Sequence, residues 1–217
     1  MTRRRILVAI DGAAGSGKST LAELLARDLG LPYVNTGLMY RALAAAAARA
    51  SVDIDDPQAL LDLARGLRFG VRGRAAGRLE VEGYTAEELA SPKVESTVSA
   101  VARHPAVRRW MRDAQRALGA DGAVMEGRDI GTVVFPDADV KLFLRADATA
   151  RAERRALERD GGEGDVGQAM HRRDERDART TPLEPASDAA VIDTGDLDIE
   201  GTLAVARAIV EERVGKT

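Results

Sequence analysis

The sequence predicts an α/β protein built on a parallel sheet, and three observations lead there. Short apolar runs recur at residues 6–10, 33–34, 123–125, 140–144 and 189–192. Helical patterns fill the gaps between them. Most runs end on a turn residue or a carboxylate, which puts polar chemistry at the carboxyl ends of the strands. Strands that alternate with helices form a parallel sheet covered on both faces. Five parallel strands in a three-layer arrangement are therefore expected.

The elements follow in order. The first apolar run stops at Asp11, and a glycine-rich loop leads to a helix, Lys18–Leu29, that ends at Gly30. Beyond the second strand lies a long, mostly helical stretch. Asp56-Pro57, Ser91-Pro92 and His104-Pro105 are helix starts, because proline's missing N–H is harmless in a first turn. Residues 68–71 and 79–81 flank GRAAGR, a glycine-bearing turn, and predict a small hairpin. An inserted lobe is expected over about residues 36–108. A helix opening at Asp147 and running through residue 156 leads into a flap over about residues 151–181. That flap is dense in arginine and acid and is interrupted by DGGEGD. The last helix covers Ile199–Val214. Core segments at about residues 1–35, 109–150 and 182–217 complete a single domain.

Composition narrows the function. The 217 residues carry a net charge of −3, which disfavours a protein built to coat nucleic acid. There is no cysteine, so disulfides, thiolate metal sites and a cysteine nucleophile are excluded and a reducing, cytoplasmic setting is expected. The apolar run before Asp11 is too short for a signal peptide, and the alanine-rich run at 42–48 is too short to span a bilayer. No apolar stripe is left over for a partner, so a monomer is expected.

Gly12-Ala13-Ala14-Gly15-Ser16-Gly17-Lys18-Ser19 fits G-x-x-x-x-G-K-[ST] at every fixed position, between a strand and a helix. A phosphate chain must be surrounded by backbone N–H groups, so side chains must be absent and unusual dihedrals allowed. The helix start adds unpaired N–H groups and its positive dipole end. Residues Gly12 to Thr20 are thus expected to hold the phosphates of ATP, Lys18 to reach the β- and γ-phosphates, and the Ser19 hydroxyl to bind Mg²⁺. This predicts a P-loop NTPase fold.

The loop does not name a reaction. Guanine recognition usually needs N-K-x-D, and none of the lysines, at 18, 93, 141 and 216, follows an asparagine. Motor ATPases show partner-facing motifs that are not found here. Transfer of the γ-phosphoryl to a small acceptor remains. It requires lobes that close to exclude water, and cations that offset repulsion between the two phosphates. Arg41 and Arg128, near strand ends, and Arg151, Arg154, Arg155, Arg173, Arg176 and Arg179, in the flap, supply the cations. Arg151, Arg155 and Arg176 fit equally well an ion-paired, solvated helix face.

EGRDIGTVVFP at residues 126–136 is the specific signature. Together with IDGAAGSGKST, NTGLMYRA and RRDERD, it makes the chain resemble the cytidylate kinases over nearly its whole length. The resemblance implies a nucleoside-monophosphate kinase fold with core, monophosphate-binding lobe and lid. It also implies transfer of the γ-phosphoryl of ATP to CMP or dCMP with Mg²⁺. Asp129 and Arg108 would read the cytosine, with Ser99 also at the base, and Thr36, Arg41 and Arg128 would hold the acceptor phosphate. Arg173 and Asp177 resemble the ribose-contacting pair, and Arg179 a lid arginine that contacts phosphate. Lys18, Arg128, Arg173 and Arg179 would carry the catalytic charge. The segment DARTTPL is two residues shorter than the commoner family form, and Asn35, where the family often has aspartate, receives no role. The chemistry is coherent. A carboxylate accepts from cytosine N4, and an arginine donates to N3 or O2, whereas uracil would set O4 against Asp129.

Overall fold

The computed structural model describes residues 5–73, 76–147, 151, 183–195 and 197–215. Strands β1 (Leu7–Gly12), β2 (Tyr33–Asn35), β5 (Ala123–Gly127), β6 (Val140–Arg145) and β7 (Ala190–Asp193) are the five expected ones, and all run parallel. The predicted hairpin forms too, as β3 (Phe69–Arg72) and β4 (Arg78–Val81), an antiparallel pair. It is continuous with the main sheet, because β4 pairs in parallel with β2 at Tyr33–Arg78. The sheet therefore has seven strands, in the order β3-β4-β2-β5-β1-β6-β7.

Alternation along the central strands explains the layers. Leu7 and Ala9 of β1, with Ala123 and Met125 of β5, face one apolar cluster. Ile6, Val8, Ile10 and Val124 face the other. Side chains of period 2 on a strand point to opposite faces, so both faces need helical cover. The first face is covered by α2 (Thr36–Arg49), α3 (Pro57–Gly66), α4 (Ala86–Leu89), α5 (Pro92–Ala102) and α6 (Pro105–Gly119). The second is covered by α1 (Lys18–Leu29) and α7 (Ile199–Val214). The alanine run that is too short for a membrane serves here as a close-packing surface, with Ala42 to Ala47 all buried in α2. Among the described residues no helix is long and apolar enough to cross a membrane.

The strands extend a residue or two beyond their apolar runs, through Asp11, Asn35, Glu126 and Asp193. Ladder pairing uses backbone groups, so polar residues continue it: Asp11 stands opposite Gly127 and Phe143, and Arg145 opposite Asp193. The caps Asp56 and Ser91 form as expected, each accepting from first-turn amides. His104 starts α6 by position but caps no amide with its side chain. Its Nε2 lies 2.8 Å from the Ile54 carbonyl oxygen and ties the helix start to the loop before α3. The helix expected from Asp147 through residue 156 lies outside the described residues, except that Arg151 N–H donates to the Asp147 carbonyl at 3.2 Å.

Candidate active site

The glycines of the loop after β1 have φ values of +152° at Gly12, +71° at Gly15 and +86° at Gly17. These dihedrals are accessible to glycine and strained for other residues. At Gly12 space is also limiting, since a Cβ would lie 2.5 Å from the Leu144 carbonyl oxygen. The loop turns directly into α1 at Lys18, and no side chain caps that helix. Lys18 is buried, and its ammonium folds over the loop, 2.5 Å from the Ala13 carbonyl oxygen and 3.5 Å from Ser16 Oγ.

Two residues from across the sheet brace this loop. The Arg151 guanidinium donates to the Ala14 carbonyl at 3.1 Å, so this arginine touches the phosphate loop rather than lying on a solvated face. Buried Thr194, just past β7, shares its hydroxyl proton between the Ser16 carbonyl at 3.4 Å and the Arg145 carbonyl at 3.3 Å. A fixed carbonyl also fixes the N–H of the same planar peptide, so these contacts aim the amides of Gly15 and Gly17. Ser19, the expected Mg²⁺ ligand, lies near Tyr33. The Tyr33 hydroxyl donates to Glu126 Oε1 at 2.6 Å and accepts from Asn35 Nδ2 at 3.4 Å. Burial, and then the Glu126 carboxylate, push the Tyr33 phenol well above its ordinary pKa, so it stays protonated as a donor.

Facing the loop, one cleft gathers the residues expected on the acceptor side. Thr36, Arg41, Ser99, Arg108, Arg128 and Asp129 line it together with Ala14, Gly15, Lys18 and Ser19. Gly12 and Ser16 of the loop are buried. Thr36 opens α2, and its hydroxyl donates to the Glu126 carbonyl at 2.7 Å. Arg41 lies 3.9 Å from Glu95. Arg108 of α6 and Asp129, just past β5, form an ion pair at 2.6 Å with side chains 17% and 15% exposed. The two residues expected to read a base thus already stand side by side. Arg173, Asp177 and Arg179 lie outside the described residues, as do Arg154, Arg155 and Arg176.

Tyr40, Gln115 and the Glu126 side chain also line the cleft and were given no role from sequence. Helical spacing could have found two of them. Tyr40 follows Thr36 by one turn on α2, and Gln115 follows Arg108 by two turns on α6. Tyr40 lies near Gln115, and burial pushes its phenol up to about 12. Asp11 is buried at 6% exposure, with its carboxylate accepting from the Ile130 and Gly131 amides. Burial pushes its pKa up to about 6, against the opposing pull of those two amides.

A parallel α/β sheet, a glycine loop running into a helix, and a lysine folded over that loop define a P-loop nucleotide-binding protein. The fold recurs in the crystal structure of an uncharacterized protein from Eubacterium ventriosum ATCC 27560, with a TM-score of 0.53 and 14% identity, covering 96% of this chain and 100% of that one. The profile of the family described as Cytidylate kinase matches residues 8–212. The "Cytidylate kinase" of Rhodococcus opacus (strain B4) is 41% identical over 226 residues, covering 99% of both chains. That of Pelotomaculum thermopropionicum is 46% identical over 205 residues, covering 89% of this chain and 90% of its own. The chain belongs to the cytidylate kinase family.

Proposed function

We propose that the protein transfers the γ-phosphoryl group of ATP to CMP or dCMP, giving ADP and CDP or dCDP. The observation that carries this reading is the single cleft in which the loop residues Lys18 and Ser19 face Thr36, Arg41, Arg128 and the Arg108–Asp129 pair. Family membership supports the same reading. The loop amides and Lys18 hold the donor phosphates. Thr36, Arg41 and Arg128 hold the acceptor phosphate, and Asp129, Arg108 and Ser99 read the cytosine edge. Arg173 and Asp177 contact the ribose in this reading, and Arg179, with Arg173, adds charge from the lid.

The nucleophile is an oxygen of the acceptor phosphate. A monoester's second pKa is about 6, so the oxygen is ionised at neutral pH and needs no general base. Asp129 therefore reads the base and takes no proton. Catalysis rests on in-line positioning and on cationic groups held ready before the reaction. Mg²⁺ fits the loop, because the Ser19 hydroxyl at the cleft wall is a hard oxygen donor of the kind this ion takes beside phosphate oxygens. Ser19 would hold it, and it would supply charge neutralisation at the β- and γ-phosphates. Residues 36–108 and 151–181 would act as the lobe and lid that close over the substrates, in a monomeric, cytoplasmic enzyme. The cysteine-free composition supports that compartment.

The test is a coupled assay of ADP formation with ATP and Mg²⁺ over a panel of acceptors: CMP, dCMP, UMP, AMP and shikimate. CMP or dCMP should give the highest kcat/KM. A higher value for UMP or shikimate would overturn the assignment.

A further inference from the structure

Asp11 is a buried carboxylate that the scheme above does not use. It lies in β1 one residue before Gly12 opens the phosphate loop, yet its oxygens bond amides of a different segment. Oδ1 accepts from the Ile130 amide at 2.8 Å, and Oδ2 from the Gly131 amide at 2.7 Å. These are the first two amides after Asp129, and they open a single π-helical turn, Ile130–Val134. Inside that turn, the Val133 and Val134 amides donate to the Asp129 carbonyl at 2.9 and 3.1 Å, and Phe135 donates to Ile130 at 2.7 Å. The leading amides of any helical turn have no partner within it, and one isolated turn is too short to be stable alone. Asp11 supplies the missing acceptors from a strand 119 and 120 residues away in sequence.

The fit is close on both sides. A Cβ on Gly131 would lie 3.4 Å from Asp11 Oδ2, and 3.2 and 3.3 Å from Cδ and Cγ of Lys141. The turn is thus held between the Asp11 carboxylate and the Lys141 methylenes. Arg128 and Asp129 lead into this turn, so its position sets theirs. We infer that Asp11 is a positioning residue for the acceptor side, fixing the turn that carries Arg128 and Asp129. Its loss weakens the hold on the monophosphate more than the hold on ATP. This rests on the proposed function.

The experiment measures D11N and G131A beside the wild type. D11N keeps the side-chain size but replaces one acceptor oxygen with a donor facing a backbone amide. G131A leaves the charge unaltered and pushes the same turn away from the Lys141 methylenes, toward which its new Cβ would be crowded. D11N should raise KM for CMP by about tenfold to a hundredfold, the range a displacement of about 1 Å produces; G131A, which shifts the turn by less, should raise it by a smaller factor, and both should change KM for ATP less than twofold. By NMR, the Ile130 and Gly131 amides of D11N should exchange with solvent faster, whereas amides of the β1–α1 loop should not. Circular dichroism checks folding, and if D11N does not fold, G131A alone decides. Equal rises in both KM values, a rise confined to ATP, or unchanged exchange at Ile130 and Gly131 would each overturn the inference. A wild type that is inactive on CMP would instead overturn the proposed function, and the exchange measurement would still test the contact itself.

Discussion

Replacing Asp129 by alanine isolates base recognition. Asp129 and Arg108 pair at 2.6 Å with little exposure, so a base must be read by groups already largely withdrawn from water. Cytosine presents its N4 donor to the carboxylate and acceptors to the guanidinium, so it satisfies both members. Uracil sets the O4 lone pairs against Asp129. A hydrogen bond to a charged group contributes about 1.5–3 kcal/mol, which at 1.36 kcal/mol per decade is about 10- to 150-fold. The ratio of kcat/KM for CMP to that for UMP should fall by this factor, chiefly through loss on CMP. Steady-state assays of both acceptors with ATP measure it, and circular dichroism confirms that the variant is folded. An unchanged ratio in a folded variant would refute the recognition argument. Arg108→Met tests the other half of the pair. If the two residues act as a unit, the double variant should lose less than the sum of the single losses.

Three further predictions follow from buried groups. Lys18→Ala should fold with a near-native melting temperature and lose phosphoryl transfer by at least about 100-fold, since the proposed mechanism relies on the ammonium that Lys18 folds over the loop; near-normal turnover would sink the mechanism. Tyr33→Phe removes the 2.6 Å donor to buried Glu126, which should destabilise the protein by about 1.5–3 kcal/mol, or about 3–12 °C in melting temperature. A shift under about 1 °C would count against that hydrogen bond. Asp11 sets a pH dependence. Burial, with a smaller push from Asp129, raises its pKa from 3.8 to about 6, against the two amides and Lys18. The folded state then binds this proton more tightly than the unfolded state. The Asp11 contribution is therefore largest below about pH 4, declines as pH rises to about 6 and is flat above. The stability of the wild type relative to D11N should fall by about 3 kcal/mol across that window, as read by urea unfolding in a pH series. A difference that stays constant between pH 4 and 7 would contradict the burial of this charge.

Much of the glycine loop's geometry was legible because its parts are local. Eight consecutive residues, Gly12 to Ser19, contain the dihedrals, the amides, the lysine and the hydroxyl, and the flanking strand and helix follow from short-range periodicity. The caps at Asp56 and Ser91 were legible for the same reason, since each bonds an amide two or three residues on. His104 departs from that pattern because its partner, Ile54, is 50 residues away. The hairpin was readable from its turn, but its union with β2 was not, because one backbone pairing across the sheet decides it.

Arg108, Asp129 and Arg41, proposed for the acceptor, carry no local signal of working together, and a resemblance in motif had to suggest it. By itself, the sequence determined the alternation of strand and helix, the phosphate loop and the side-chain types available for charge and recognition, because these depend on neighbours within a turn or two. Only the tertiary structure decided which distant groups meet. Asp11 bonds amides 119 and 120 residues away, Thr194 reaches the loop across 178, and Arg151 across 137. Such contacts arise when a parallel sheet brings the carboxyl ends of β1, β5, β6 and β7 to one edge, and burial there makes each unmet polar group costly enough to require its partner.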